Sequence, residues 1–470
     1  MPVRIGHRLI GMCLALASTL GVSSVSASSE GGTLTLAGRL TQTIAARMDA
    51  QSVPGLVVAL IDDGVPVWTG AFGLADPLRG RPMTSDALFR VESISKPVTA
   101  WGAMRLTEAG RLDLDLAISG CLTRWQPPDE APEITPRQLL SQSAGIGLGD
   151  YTARYTPDAP RPGLAEHLAE DFRMIAAPGH GFAYSDTGYN MLELVIEDCT
   201  GEDFGAFMAR DVLQPLGMVG ASYDWTGAEM PVGHDLRGRP VPAYVYPGRG
   251  SGGLHATAAD IARFAAAGMA EAEQNVLSPD AIAEMHRPVV DVGGLFGIAA
   301  DGYGLGHFTE TLSDGRSAVW HGGQGYGWMS HMHLVPETGD GIVILSNSQR
   351  AWPLIAAILR DWSDSLGVAP VGMARVLWAE WAAWATIGSL VVVSVLAGWF
   401  ASRRRHRPRA IRAVTGGLAI VLVLWPVWAA AQDYLFLFSI LPGLWPWLGV
   451  SSGLAGLAMV AFALLPERSE

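Results

Sequence analysis

The sequence predicts an α+β domain whose sheet is assembled from both ends of the domain, followed by membrane-spanning helices. Three observations predict it. Helix and hairpin patterns open the chain, strand patterns return only after residue 317, and beyond Arg375 the sequence turns into long apolar runs rich in Trp, Leu, Val and Ala.

Residues 38–50 (GRLTQTIAARMDA) have helical spacing, and Val53 to Gly73 follows as apolar segments around Asp63-Gly64, a dipeptide that suits a tight hairpin turn. From about 97 to 290 the pattern is mostly helical, with Thr257 and Asp260 spaced as an N-cap and its third-position acid. Antiparallel strands are expected in AVWHGG, WMSHMHLVP and IVILSN between Ser317 and Asn347, and a closing helix over 352–366. A helix and hairpin, a helical insert, then strands and a helix give a mixed fold with segregated elements.

The tail holds spans at about 381–400, 414–431 and 444–465, each long enough for the hydrocarbon core. Tyr434 to Pro442 is apolar but broken by Pro442-Gly443, so it reads as an interfacial segment or a fourth, partial span. Basic residues between Arg403 and Arg412 place the first connection in the cytoplasm. Trp378, Trp381, Trp384, Trp425, Trp428, Trp445 and Trp447 then fall at the outer interface. At the other end, Arg4 and Arg8, an apolar stretch from Leu9 to Val22 and Val25-Ser26-Ala27 read as a signal peptide cleaved after Ala27. The expected division is signal 1–27, extracytoplasmic domain 28–370 and membrane region 378–466, in a multi-pass protein of the plasma (inner) membrane with its catalytic domain on the periplasmic side. Cys13 leaves with the signal. Cys121 and Cys199 are either a disulfide, which an oxidising compartment permits, or two small buried hydrophobes.

A net charge of −13 argues against nucleic-acid binding, which needs clustered cations. No cofactor is called for. His331 and His333 alternate on a strand without a third ligand at metal spacing, and Tyr303-Gly304-Leu305-Gly306 lacks the context of a phosphate loop.

The chemistry concentrates around VESISKPVTAWGAM. Ser93 and Lys96 are three apart, so on a helix they share a face. Lys96 is the sole lysine among 32 cationic residues. Everywhere else the chain uses guanidinium, which keeps its proton near neutrality, whereas a buried amine can lose one and serve a nucleophilic serine. The alternative, a solvated surface lysine, fits poorly with the flanking Val91, Ile94, Val98 and Trp101. Tyr184 falls in a loop before a helix expected to start near Gly188, where its phenol either reaches the serine or packs as an aromatic with a wet hydroxyl. Trp320-His321-Gly322-Gly323-Gln324 ends a strand. Its glycines let a substrate lie against the backbone, and the next amide can donate to an oxyanion.

Together these residues resemble the serine β-lactamase and penicillin-binding-protein superfamily, and within it the class C-like branch of esterases, peptidases and lactamases. Its three motifs read here Ser93-Ile94-Ser95-Lys96, Tyr184-Ser185-Asp186 and His321-Gly322-Gly323, in the family's order. Further matches are ITPRQLLSQSAGI at 134–146, TGYN at 187–190, SGGLHATAADIARF at 251–264 and YGLG at 303–306, so the resemblance covers roughly residues 38–366. It implies an antiparallel sheet flanked by helices beside an all-helical region, with the serine at their junction. It also implies acylation of Ser93, proton transfer shared by Lys96 and Tyr184, an oxyanion hole from the amides of Ser93 and Gln324, and no cofactor.

Two positions depart from the family. Asp186 stands where an Asn is usual, and a carboxylate beside Lys96 favours the charged amine. Either Tyr184 then carries more of the base role or Asp186 points away. His321 replaces a lysine that commonly holds a substrate carboxylate, which favours an ester or amide lacking that group. The expected function is a membrane-anchored serine esterase or peptidase acting on a small-molecule or peptide-like substrate, with the bilayer as its other partner. The alternatives are D-alanyl-D-alanine carboxypeptidase or β-lactamase activity and, third, a non-catalytic penicillin-binding or cell-wall-sensing module.

Overall fold

The computed structural model describes residues 32–33, 35–294, 296–403, 408–430 and 436–465. The signal-peptide reading lies outside these residues, as do the middle of the basic run after Arg403 and the start of the segment from Tyr434.

A helix over 35–51 (α1) leads into strands β1 (Gly55–Asp62) and β2 (Val65–Asp76). Asp63 and Gly64 join them with φ of 51° and 71°, the left-handed pair that a two-residue hairpin turn requires. After β3 (Arg81–Pro82) and β4 (Phe89–Arg90) the chain enters helix α2 (Ser95–Glu108). Helix α3 (Asp186–Thr200), β5 (His255–Ala256) and helix α4 (Ala258–Ala267) follow. Strands β6 (Val290–Asp291), β7 (Gly302–Tyr303), β8 (Phe308–Thr311), β9 (Ser317–Gly325), β10 (Trp328–Val335) and β11 (Asp340–Ser346) complete the strands, and helix α5 (Trp352–Ser365) closes the fold.

The main sheet has nine strands in the order β3-β2-β1-β11-β10-β9-β8-β7-β6. Its pairings are antiparallel, and β1 beside β11 joins the two ends of the domain, as expected from the sequence. Both faces of the sheet are covered. Leu56, Val58 and Leu60 of β1 pack with Leu40, Ile44 and α5, while Val57, Ala59 and Ile61 pack with α2, α3 and α4. Burial on both faces explains why GLVVALID reads as a continuous apolar run. Thr257 and Asp260 form the expected capping box. Cys121 and Cys199 form a disulfide, with Cα atoms 5.4 Å apart, that ties the end of α3 to the loop after α2.

Two sequence expectations change. The helix expected near Gly188 starts at Asp186, because the Ser185 hydroxyl caps it by accepting the Gly188 N–H at 2.9 Å. Strands β6 to β8, two to four residues each, are too short to display a period of two.

Three helices among the described residues are long and apolar enough to cross a membrane: Gly372–Ser402, Arg409–Ala429 and Trp445–Leu464. We label the helices themselves α6 (Val376–Ser402), α7 (Arg409–Ala430) and α9 (Trp445–Leu464), with the short α8 (Phe436–Ile440) between the last two. The first begins earlier than the expected 381 because Met373, Ala374, Val376 and Leu377 are anchored in the core under α5. Within the segment read as interfacial or as a partial span, residues 438–441 pack on the sheet domain: Phe438, Ser439 and Leu441 are buried, and Ile440 adds to the α5 core.

Candidate active site

Ser93 lies in a single 3₁₀ turn, Glu92–Ile94, between β4 and α2. The turn forces Glu92 to a φ of 50°, a left-handed conformation that costs a non-glycine residue free energy and persists only where its surroundings over-determine it. Here they do. The buried Glu92 carboxylate accepts from Arg90 Nε at 3.0 Å, Tyr244 Oη at 2.9 Å and Tyr246 Oη at 3.0 Å. Burial opposes the charge on Arg90, but Glu92 together with Tyr244 and Tyr246 more than offsets this and holds the guanidinium above its ordinary value. Arg90 also stacks on Tyr244 and Tyr246. The end of β9 presses on this turn: a Cβ at Gly323 would stand 2.3 Å from the Val91 carbonyl oxygen, and one at Gly325 2.2 Å from the Glu92 carboxyl carbon. Both glycines are therefore needed for close approach.

Lys96, in the first turn of α2, is fully buried. Its ammonium donates to Ser93 Oγ at 2.9 Å, to Asp186 Oδ1 at 2.5 Å and to the Ser251 carbonyl at 2.9 Å. Three acceptors match its three donors. Asp186, the first residue of α3, thus points directly at Lys96, which removes the option that it turns away. Tyr184 precedes the same helix, with the Lys96 nitrogen 4.9 Å from its ring centre. Burial and then the charge of Asp186 push the Tyr184 phenol well above its usual range, against the opposing effect of a hydrogen bond with Ser93. At rest Tyr184 is therefore a neutral phenol, and a base role would first require its ionisation.

His321 is brought near these groups, 6.2 Å ring to ring from Tyr184, but behind them. It is fully buried, with Nδ1 2.8 Å from the Gly322 carbonyl and Nε2 3.1 Å from Tyr303 Oη. Burial and the charge of Lys96 drive its pKa well below the ordinary value, so the imidazole is neutral and faces Tyr303. Gln324 lies at the strand end with its side chain engaged: Oε1 accepts from Trp352 Nε1 at 3.2 Å and from Ser439 Oγ at 3.0 Å.

Ser93, Tyr184, Asp186 and Gln324 line a cavity of about 750 Å³. The structure thus assembles Ser93, Lys96, Tyr184 and Asp186 in one cluster, sets Gln324 at its edge, and puts His321 and Gly323 in the supporting layer. Sequence reasoning missed Arg90, Glu92, Tyr244, Tyr246 and the Ser251 carbonyl. One signal was present: Glu92 sits within a run expected to be buried, and a carboxylate there needs a cation, which Arg90 supplies two residues away.

An antiparallel sheet, a helical layer and a serine–lysine pair at their junction define a serine hydrolase. The chain belongs to the beta-lactamase family, whose model matches residues 40–360. It is 27% identical over 370 residues to Esterase EstB of Burkholderia gladioli, covering 65% of this chain and 91% of that protein. It is also 27% identical over 325 residues to Penicillin-binding protein 4 of Amycolatopsis lactamdurans, covering 66% and 84%. Among solved structures, the octameric penicillin-binding protein homologue from Pyrococcus abyssi superposes with a TM-score of 0.63 at 27% identity, over 71% of this chain and 78% of that one. The family match ends before the apolar helices.

Proposed function

We infer that the protein is a membrane-anchored serine hydrolase of the class C-like branch, acting through an acyl-enzyme on an ester or an amide. The observation that carries this reading is the 2.9 Å hydrogen bond between Lys96 Nζ and Ser93 Oγ at the cavity floor. Substrate entry excludes water, and one proton of the ammonium passes to Asp186, leaving an amine. The amine takes the Ser93 proton as Oγ attacks the carbonyl carbon, while the backbone amides of Ser93 and Gln324 receive the developing oxyanion charge. Tyr184, a phenol at rest, donates its proton to the leaving oxygen or nitrogen and recovers one from Lys96. Water then cleaves the acyl ester by the same route reversed. The neutral, enclosed His321 offers no cation to a substrate carboxylate, which supports an ester or amide without one.

The domain division expected from the sequence enters the same reading, with residues 28–370 on the extracytoplasmic side. The basic connection after α6 and the Trp residues at the opposite helix ends support that orientation. The test is fluorophosphonate labelling of the detergent-solubilised full chain, followed by turnover of an acetyl ester, a D-amino-acid amide and a chromogenic β-lactam. Labelling of wild type but not of Ser93→Ala is expected, with the acetyl ester turned over at least tenfold faster than the β-lactam in kcat/KM. Labelling that survives Ser93→Ala overturns the assignment.

A further inference from the structure

The cavity above Ser93 is lined by two chemically unlike sets of residues. One set is charged with both signs, Arg154, Arg237, Asp150 and Asp235 among them. The apolar set, Phe438, Pro442, Trp445 and Pro446, comes from α8, the turn that follows it and the first residues of α9. Residues 438–441 pack against the sheet domain. Ser439, fully buried, donates to Gln324 Oε1 at 3.0 Å, and Ile440 packs into the core beneath α5.

Trp445 is also the first residue of α9, a helix apolar and long enough to span a bilayer. Along that helix Trp447, Val450, Leu454 and Leu457 are exposed. The apolar lining of the cavity is thus continuous with a surface suited to hydrocarbon. A water-soluble substrate would gain nothing from this arrangement, whereas a molecule with a polar part and a long alkyl chain matches both sets at once.

The geometry points to an amphiphile as the substrate: an ester or amide whose polar part lies against the charged set and whose alkyl chain lies along Phe438, Pro442 and Trp445 toward the membrane. This inference rests on the hydrolase reading above, and it makes Phe438 and Trp445 specificity-determining residues. Each methylene buried along such a lining favours association by about fourfold, so a long chain should dominate the discrimination.

The test uses the full chain in one fixed detergent and compares ethyl with decyl fluorophosphonate, each forming a Ser93 Oγ–phosphorus bond with loss of fluoride. The expected result is a second-order labelling rate larger for the decyl probe by on the order of thirtyfold, the gain from two to three methylenes sheltered by the protein beyond what the detergent already shelters. In Trp445→Ala and Phe438→Ser the decyl-to-ethyl ratio should fall about tenfold or more, and in Trp445→Phe and Phe438→Leu it should be retained. Because the ratio is taken within each preparation, unfolded material cancels. Equal rates for the two probes in wild type, or a ratio unchanged in the alanine and serine variants, overturns the amphiphile inference while leaving the hydrolase reading intact. Failure of both probes to label Ser93 overturns the hydrolase reading itself.

Discussion

The two faces of the β9–β10 pair bury polar groups in opposite ways. On the face toward α2, Ser330 Oγ donates to the Val91 carbonyl at 2.7 Å and steadies the turn that carries Ser93, while Lys96 beyond it has an acceptor for every donor. On the face toward α5, His331 and His333 lie 3.3 Å apart with Trp320 beside them, and His333 Nε2 is 3.3 Å from Glu310 Oε1. That last distance looks like an ion pair, yet the alignment makes no hydrogen bond, and Glu310 Oε1, His331 Nδ1 and His333 Nε2 have no partner among the described residues. Burial also drives His333 far below its ordinary value, so no positive charge is there to pair. A buried group that is supplied with partners can be kept for chemistry. A buried group without them survives by becoming neutral.

Deleting the supplied amine should have the largest effect. Lys96→Met keeps the volume but removes the proton acceptor, and kcat/KM for an acetyl ester is expected to fall by about 10³-fold or more. Ellipticity and thermal unfolding report whether the fold is kept, and activity within tenfold of wild type would mean that Ser93 is activated by another group. A smaller effect is expected from Asp186→Asn, which replaces the acceptor of the 2.5 Å bond with a neutral one. The amide cannot take the proton that the ammonium gives up on substrate entry, so kcat/KM for the acetyl ester is expected to fall by about tenfold or more. Activity equal to wild type would show that Asp186 is not the group that receives the proton.

These contrasts also show what the sequence could and could not disclose. Ser93 and Lys96 were legible because a single lysine in an arginine-rich chain sits three residues after a serine within a buried helix. The hairpin at Asp63-Gly64 and the late strands were legible from turn chemistry and apolar runs. The motif resemblance put Asp186 beside Lys96 but left its direction open, since 90 residues separate the partners and the cap at Ser185 fixes where α3 begins and hence where Asp186 points. The Glu92 cradle was hidden for the same reason, with Tyr244 and Tyr246 more than 150 residues away. Sequence pattern left Tyr434 to Pro442 between interface and partial span and gave no sign of the polar contact from Ser439 to a residue of the sheet, which hydropathy does not encode.

The neutral face yields the smallest effect and the sharpest test of the comparison. Burial raises the Glu310 carboxyl to about 7, against the opposing influences of the Gly372 N–H, which donates to Oε2 at 2.7 Å, and of the Arg375 charge. The folded protein therefore holds a proton that the unfolded chain, with an ordinary glutamate value of about 4.3, has already released. Below the unfolded value both states are protonated and the site costs nothing. Between there and about pH 7 stability declines as pH rises, and above about 7 the full penalty remains, on the order of 3 kcal/mol as an upper figure. Glu310→Gln keeps an oxygen for Gly372 and is neutral at every pH. It is expected to unfold within about 1 °C of wild type at pH 4.5 and several degrees higher at pH 8, as read by scanning fluorimetry of the full chain. If the variant and wild type instead show the same dependence on pH, Glu310 is ionised in the fold, and the distinction between the two faces fails at its weaker side.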